Sequence, residues 1–166
     1  TRQAFEQAGK PPNPTLTLSG TLVENAFSPK GDVADRILDV LRTAHSSVHV
    51  MAFAFTRTDF GDALLERAQG GVTVQAVFER RQVAAGSDAV FDLFSAAGVP
   101  ARLDGNQYNL HTKAIIVDSA IVVFGSYNFS RNAEEQNNEN ALIVHSPELA
   151  ATFEAEFQKV WAQAEP

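Results

Sequence analysis

The chain has 166 residues, 45% of them apolar and 20% charged, with a formal net charge of −7. That length suits one domain with a real core, and no apolar run is long enough to cross a membrane. Cysteine is absent, which excludes disulfides and thiolate metal sites. The four histidines, at 45, 49, 111 and 145, form no H-x-x-x-H pair, which argues against a dedicated zinc site. The acidic balance argues against a protein that binds nucleic acid through bulk positive charge. Local positive charge at a cleft stays open, from Arg57, Arg80, Arg81, Arg102 and Lys113, although most of these arginines are expected on solvated surface.

Residues 1–15 are polar and carry Pro11, Pro12 and Pro14, a stiff connector that suggests a preceding domain. The packed domain is expected over 16–166. Leu22 to Phe27 reads as a first strand. Val33, Ile37, Leu38, Val40 and Leu41 then recur at helical spacing. Val48 to Phe55 reads as a buried strand, Thr58 to Gln69 as a helix stopped by Gly70-Gly71, and Val72 to Phe78 as a strand. Ser87 to Ala97 reads as a helix, Val99 to Leu103 as a strand, and Asp104-Gly105-Asn106 as a turn. Thr112–Val117 and Ile121–Phe124 are β-rich, Ser130 to Asn138 is a polar loop, and Asn140 to His145 is a last strand. Ser146 caps a final helix with Pro147 in its first turn and Leu149, Phe153, Phe157 and Val160 as its apolar stripe. The order predicts an α/β fold with a mixed central β-sheet flanked by helices.

The most informative stretch is His111-Thr-Lys113, then Asp118, then Gly125-Ser126-Tyr-Asn128. Residues i and i+2 of a strand share a face, so His111 and Lys113 should project together. With Ser119-Ala120 as a two-residue turn, Asp118 would pair with Ile121, Lys113 would face Ser126, and His111 would face Asn128. Ser-Ala suits such a turn poorly, and a one-residue slip would separate the two sets. Asp118 falls on the opposite parity from His111 and reads as mainly structural.

The spacing, H-x-K, four residues, D, six residues, G-S-x-N, resembles the signature of the phospholipase D superfamily. The resemblance implies a phospholipase D-like fold and a phosphodiesterase that acts through a histidine nucleophile without a metal or other cofactor. His111, Lys113, Asp118, Ser126 and Asn128 are the implied catalytic set, with Lys113, Ser126 and Asn128 binding the phosphate. In single-motif members an acidic residue near Glu139 hydrogen-bonds the nucleophile, so Glu139 joins the set; an ordinary loop glutamate is the alternative.

The family's site is built from two motif copies and this chain carries one, so a homodimer or a preceding tandem domain is expected. Bacterial proteins of both kinds are similar, which suggests a soluble bacterial protein, and secretion is open. Nucleic acid is the first substrate reading, phospholipid headgroups the second, and a half-site of low turnover the third. His45, His49 and His145 are expected to be structural, as are most phenylalanines. Phe55, Thr56 and Tyr127 are weaker candidates for the cleft wall. The loops Glu79–Asp88 and Gly105–Leu110 are candidates for specificity.

Overall fold

The computed structural model describes residues 14–86 and 89–166. The apolar runs form an eight-stranded mixed sheet in the order β1-β2-β8-β7-β6-β3-β4-β5. The strands are β1 (Thr15–Leu18), β2 (Thr21–Ser28), β3 (Ser47–Ala52), β4 (Thr73–Phe78), β5 (Ala101–Leu103), β6 (Lys113–Val117), β7 (Ile121–Gly125) and β8 (Glu139–His145). Strands β3, β4 and β5 run parallel, and every other pairing is antiparallel. The α/β expectation therefore holds.

Helices cover both faces, which is why the central strands read as unbroken apolar runs. On one face lie α1 (Val33–Arg42), α2 (Thr58–Gln69) and α4 (Ala89–Ala97). Their Ile37, Leu41, Phe60, Leu64 and Phe94 pack with Ile115 and Val117 of β6. On the other lies α6 (Pro147–Gln163), whose Ala150 and Phe157 pack with Met51, Ile116 and Val122. The period-two alternation of β6 thus feeds two cores at once. Ser146 caps α6 as expected, accepting from the Leu149 N–H at 3.2 Å.

Several elements differ from expectation. β1 is an unexpected edge strand, already paired at Thr15 with Glu24. The expected connector at 1–15 lies mostly outside the described residues, as do positions 87 and 88 of the helix expected from Ser87. Two stretches read as loops hold short helices, α3 (Arg80–Ala84) and α5 (Arg131–Glu135). The strand expected to reach Phe55 ends at Ala52, and Phe55 instead makes an isolated bridge to Phe129. At the far edge, β5 is bridged by Glu165: Leu103 N–H donates to Glu165 O at 2.7 Å, and Glu165 N–H to Leu103 O at 2.9 Å.

The β6–β7 register is one residue off the expected pairing. Val117, not Asp118, faces Ile121, and Ala114 faces Phe124. Asp118 and Ser119 both take left-handed backbone, with φ of 52° and 49°, and Ala120 N–H closes the turn onto Val117 O at 2.9 Å. The turn residues are therefore Asp118-Ser119, and Ala120 is an extra residue. Aspartate tolerates the left-handed region that the first turn position demands.

Candidate active site

The slip should have parted the two halves of the motif, yet they meet. The reason is a bulge at Gly125. Its φ is 154°, and a Cβ there would lie 2.3 Å from Asn140 O, so only glycine fits. Gly125 still pairs with Ala141, after which Ser126 N–H and Tyr127 N–H both donate to Asn140 O at 3.1 Å. Two residues thus oppose one, and the strand bends. Ser126 Oγ accepts from Asn140 N–H at 3.0 Å. The chain then crosses the sheet end to β3, where Phe129 N–H donates to Ala54 O at 3.1 Å, and Thr56 and Arg57 N–H donate to Phe129 O.

His111, Lys113, Gly125, Ser126, Asn128 and Glu139 line one open depression of ≈ 430 Å³. His111 is exposed. Its ring lies 4.7 Å from that of Phe53, tilted by 57°. Lys113 is only 6% exposed, with Nζ donating to His111 O at 2.7 Å and sitting 4.8 Å above the Phe53 ring. Burial lowers its pKa from the ordinary lysine value, and the nearby Glu139 carboxylate partly offsets this. An ammonium has three donors, so two remain for a ligand. Asn128 Oδ1 is buried with no protein partner. Its amide is thus uncommitted on that side.

Asp118 does not join them. It lies at the other end of β6, five residues or about 17 Å along the strand from Lys113. Its carboxylate accepts from the backbone N–H groups of His45, Ser46 and Ser47 and from Ser46 Oγ. Burial would raise its pKa, but these hydrogen bonds outweigh it and bring the value down to about 2. The resemblance lists Asp118 with the catalytic set, but its contacts are those of the structural residue its parity suggested: it fastens the β6–β7 turn to the start of β3.

Glu139 accepts from Asn137 Nδ2 at 3.0 Å and lines the depression without a hydrogen bond to His111. Phe55 and Tyr127 are core residues, 0% and 1% exposed, and not cleft wall. Glu134 accepts from Tyr127 Oη at 2.8 Å and from Ala34 N–H at 3.1 Å, anchoring the residue between Ser126 and Asn128. Burial foremost, then this carboxylate, push the Tyr127 phenol above its usual range.

Among the described residues, no arginine lines the depression. Arg57 pairs with Asp59, Arg80 with Glu165, and Arg102 packs over Trp161. Arg81 binds Asn109 Oδ1 at 2.6 Å, in the segment that leads into His111. The other histidines are structural, as expected. His49 stacks on Phe157 at 4.5 Å with Nδ1 2.6 Å from Glu154, His145 meets Glu24 at 3.1 Å, and His45 lies beside Asp118. The residue that sequence reasoning missed is Phe53. Its only signal was its place at the end of an apolar run, and its contact with the motif follows from the Ala52–Lys113 register.

Residues 37–161 match the sequence model of the family described as "Cardiolipin synthase, PLD-like domain". The chain is 35% identical over 127 residues to a mitochondrial cardiolipin hydrolase of Chlamydomonas reinhardtii, covering 76% of this chain and 56% of that protein. It is 32% identical over 139 residues to the mitochondrial cardiolipin hydrolase of Homo sapiens, covering 83% and 55%. The chain thus spans a little over half the length of these relatives. Among solved structures, the phospholipase D family member Nuc from Salmonella typhimurium superposes with a TM-score of 0.83 at 34% identity, covering 87% of this chain and 97% of that one.

Proposed function

We propose that this chain, a member of the phospholipase D superfamily, hydrolyses phosphodiester bonds of nucleic acid through a covalent phosphohistidine on His111. The observation that carries the proposal is the convergence of His111, Lys113, Ser126, Asn128 and Glu139 on one depression from three separate stretches of chain. A phosphodiester is anionic and repels nucleophiles. Lys113 and the Asn128 amide meet charge on the non-bridging oxygens, where it grows in the transition state. Ser126 holds the bulge against Asn140 and adds a hydroxyl. A neutral His111 nitrogen attacks phosphorus, the bond to the leaving oxygen breaks, and an acid protonates that oxygen. Water then attacks phosphorus, the P–N bond breaks, and the same acid, now a base, takes the water's proton. Charge is met by side chains throughout, so the step is proposed to run without a metal.

Among the described residues that line the depression, His111 is the one imidazole, and Glu139 is a carboxylate held by Asn137, so no second histidine is there to serve as the acid. We assign it to His111 of a second copy, or to a motif-bearing domain of a longer protein. The exposure of His111 supports this, since the nucleophile lies at the surface and open to a partner. The openness of the site also favours a polymer's outward-facing phosphates. A second reading, hydrolysis of phospholipid headgroups, is favoured by the relatives called cardiolipin hydrolases and by Phe27. That ring is 43% exposed and faces Asn140 in the ladder beside the site.

The test is a substrate panel of single- and double-stranded DNA, RNA and cardiolipin-containing vesicles in excess chelator. Acid quenching during turnover should yield a phosphorylated peptide containing His111, and His111→Ala should lower kcat by several orders of magnitude. An adduct on another residue, or activity restored only by added zinc or magnesium, would overturn the mechanism. Turnover of vesicles alone would decide for the lipid reading.

A further inference from the structure

Glu79 is a buried carboxylate, 3% exposed, that the chemistry above does not use. It follows β4 directly. One oxygen accepts from Arg81 N–H at 3.1 Å, capping α3. The other accepts from Leu110 N–H at 2.5 Å. Its own N–H donates to Ala52 O at 3.0 Å, and Ala52 is the register partner of Lys113.

His111 lies outside the ladder, because β6 starts at Lys113 and residues 104–112 hold no regular element. Its backbone is instead fixed from both sides. Leu110 N–H is held by Glu79, and Thr112 O accepts from Phe53 N–H at 3.0 Å. A carboxylate suits this place because it presents an acceptor on each oxygen to two separate N–H donors. An amide could satisfy only one, and its NH2 would face the other donor.

We infer that Glu79 is a positioning residue for His111, setting the nucleophile's approach through the Leu110 N–H. The inference rests on His111 being the nucleophile. A displacement of about 1 Å at a reacting atom can cost roughly a hundredfold in rate.

The experiment uses the full chain, with bis(p-nitrophenyl) phosphate as a small diester that makes no contact beyond the phosphate site. Glu79→Gln should lower kcat about 10- to 100-fold with KM within about twofold. Single-turnover formation of phosphohistidine should slow by the same factor. Because Glu79 also caps α3, and its loss can impair folding, a second protein carries the α-hydroxy acid of leucine at position 110. It lacks only that N–H and keeps the cap. It should show the same split, with kcat down about tenfold and KM unchanged. Wild-type kcat in either protein, once folded, overturns the positioning role while trapping on wild-type His111 still stands. Failure to trap phosphate on His111 in the wild type overturns the nucleophile, and the positioning role with it.

Discussion

A single carboxylate shows how far one residue's parity carries. Asp118 sits in the motif's spacing, yet its odd offset from His111 already separated it from the reacting face, and its hydrogen bonds go to three backbone N–H groups at the start of β3. Its folded pKa of about 2 is depressed, so its contribution to stability is full above the unfolded value near 3.8 and fades as pH falls toward 2. Asparagine has the same shape and tolerates the φ of 52°, so Asp118→Asn removes the charge and turns one acceptor, that reached by His45 N–H at 3.0 Å, into a donor. For a carboxylate about a quarter exposed, the loss should be about 1–2 kcal/mol at pH 7 after solvent screening. It should shrink at pH 3 and leave kcat within about twofold. Urea unfolding at the two pH values, with an activity assay, checks this. Phe53 is the opposite case. Nothing in its local sequence marks it as a neighbour of His111 and Lys113, because that contact exists only once β3 and β6 pair with Ala52 opposite Lys113.

At the scale of elements, the long ones were legible and the short ones were not. α1, α2 and α6 each carry apolar residues at helical spacing, and each was expected close to its observed limits. α3 buries none of its residues and α5 buries only Ala133, so neither has a stripe to read. β1 exposes all four of its residues and is held by its pairing with β2. The site itself was legible as a list of residues but not as a geometry. The expected register would have aligned its halves directly, whereas the bulge at Gly125 realigns them after a slip. Gly125→Ala therefore tests the element and not merely the residue. The new methyl would lie 2.3 Å from Asn140 O at a φ of 154°, so β7, β8 or both must shift. We expect a loss of about 2–4 kcal/mol together with a large fall in kcat, measured by thermal melting and diester turnover.

For the molecule as a whole, Lys113 is the only lysine or arginine among the described residues that line the depression, in a chain of net charge −7. A two-fold dimer across the site would place two lysines about one phosphate and supply the missing acid, because an isologous contact repeats each group. Specific activity should then rise with concentration over the range in which light scattering shows mass doubling. A monomer of constant specific activity would exclude the shared site. The sheet's two borders raise a different question, that of colloidal behaviour. At the β5 border the final residues lie along Leu103, fastened by the Arg80–Glu165 pair at 2.8 Å, while Gly105 leaves room for Gln163 O, which a Cβ would approach to 2.0 Å. Residues 163–165 cover that edge and should guard it against strand-on-strand pairing. Deleting 164–166 should barely change the melting temperature yet speed fibrillar association on gentle heating, followed by thioflavin fluorescence. Unbridged β5 backbone groups would then offer other chains a template that Glu165 normally occupies.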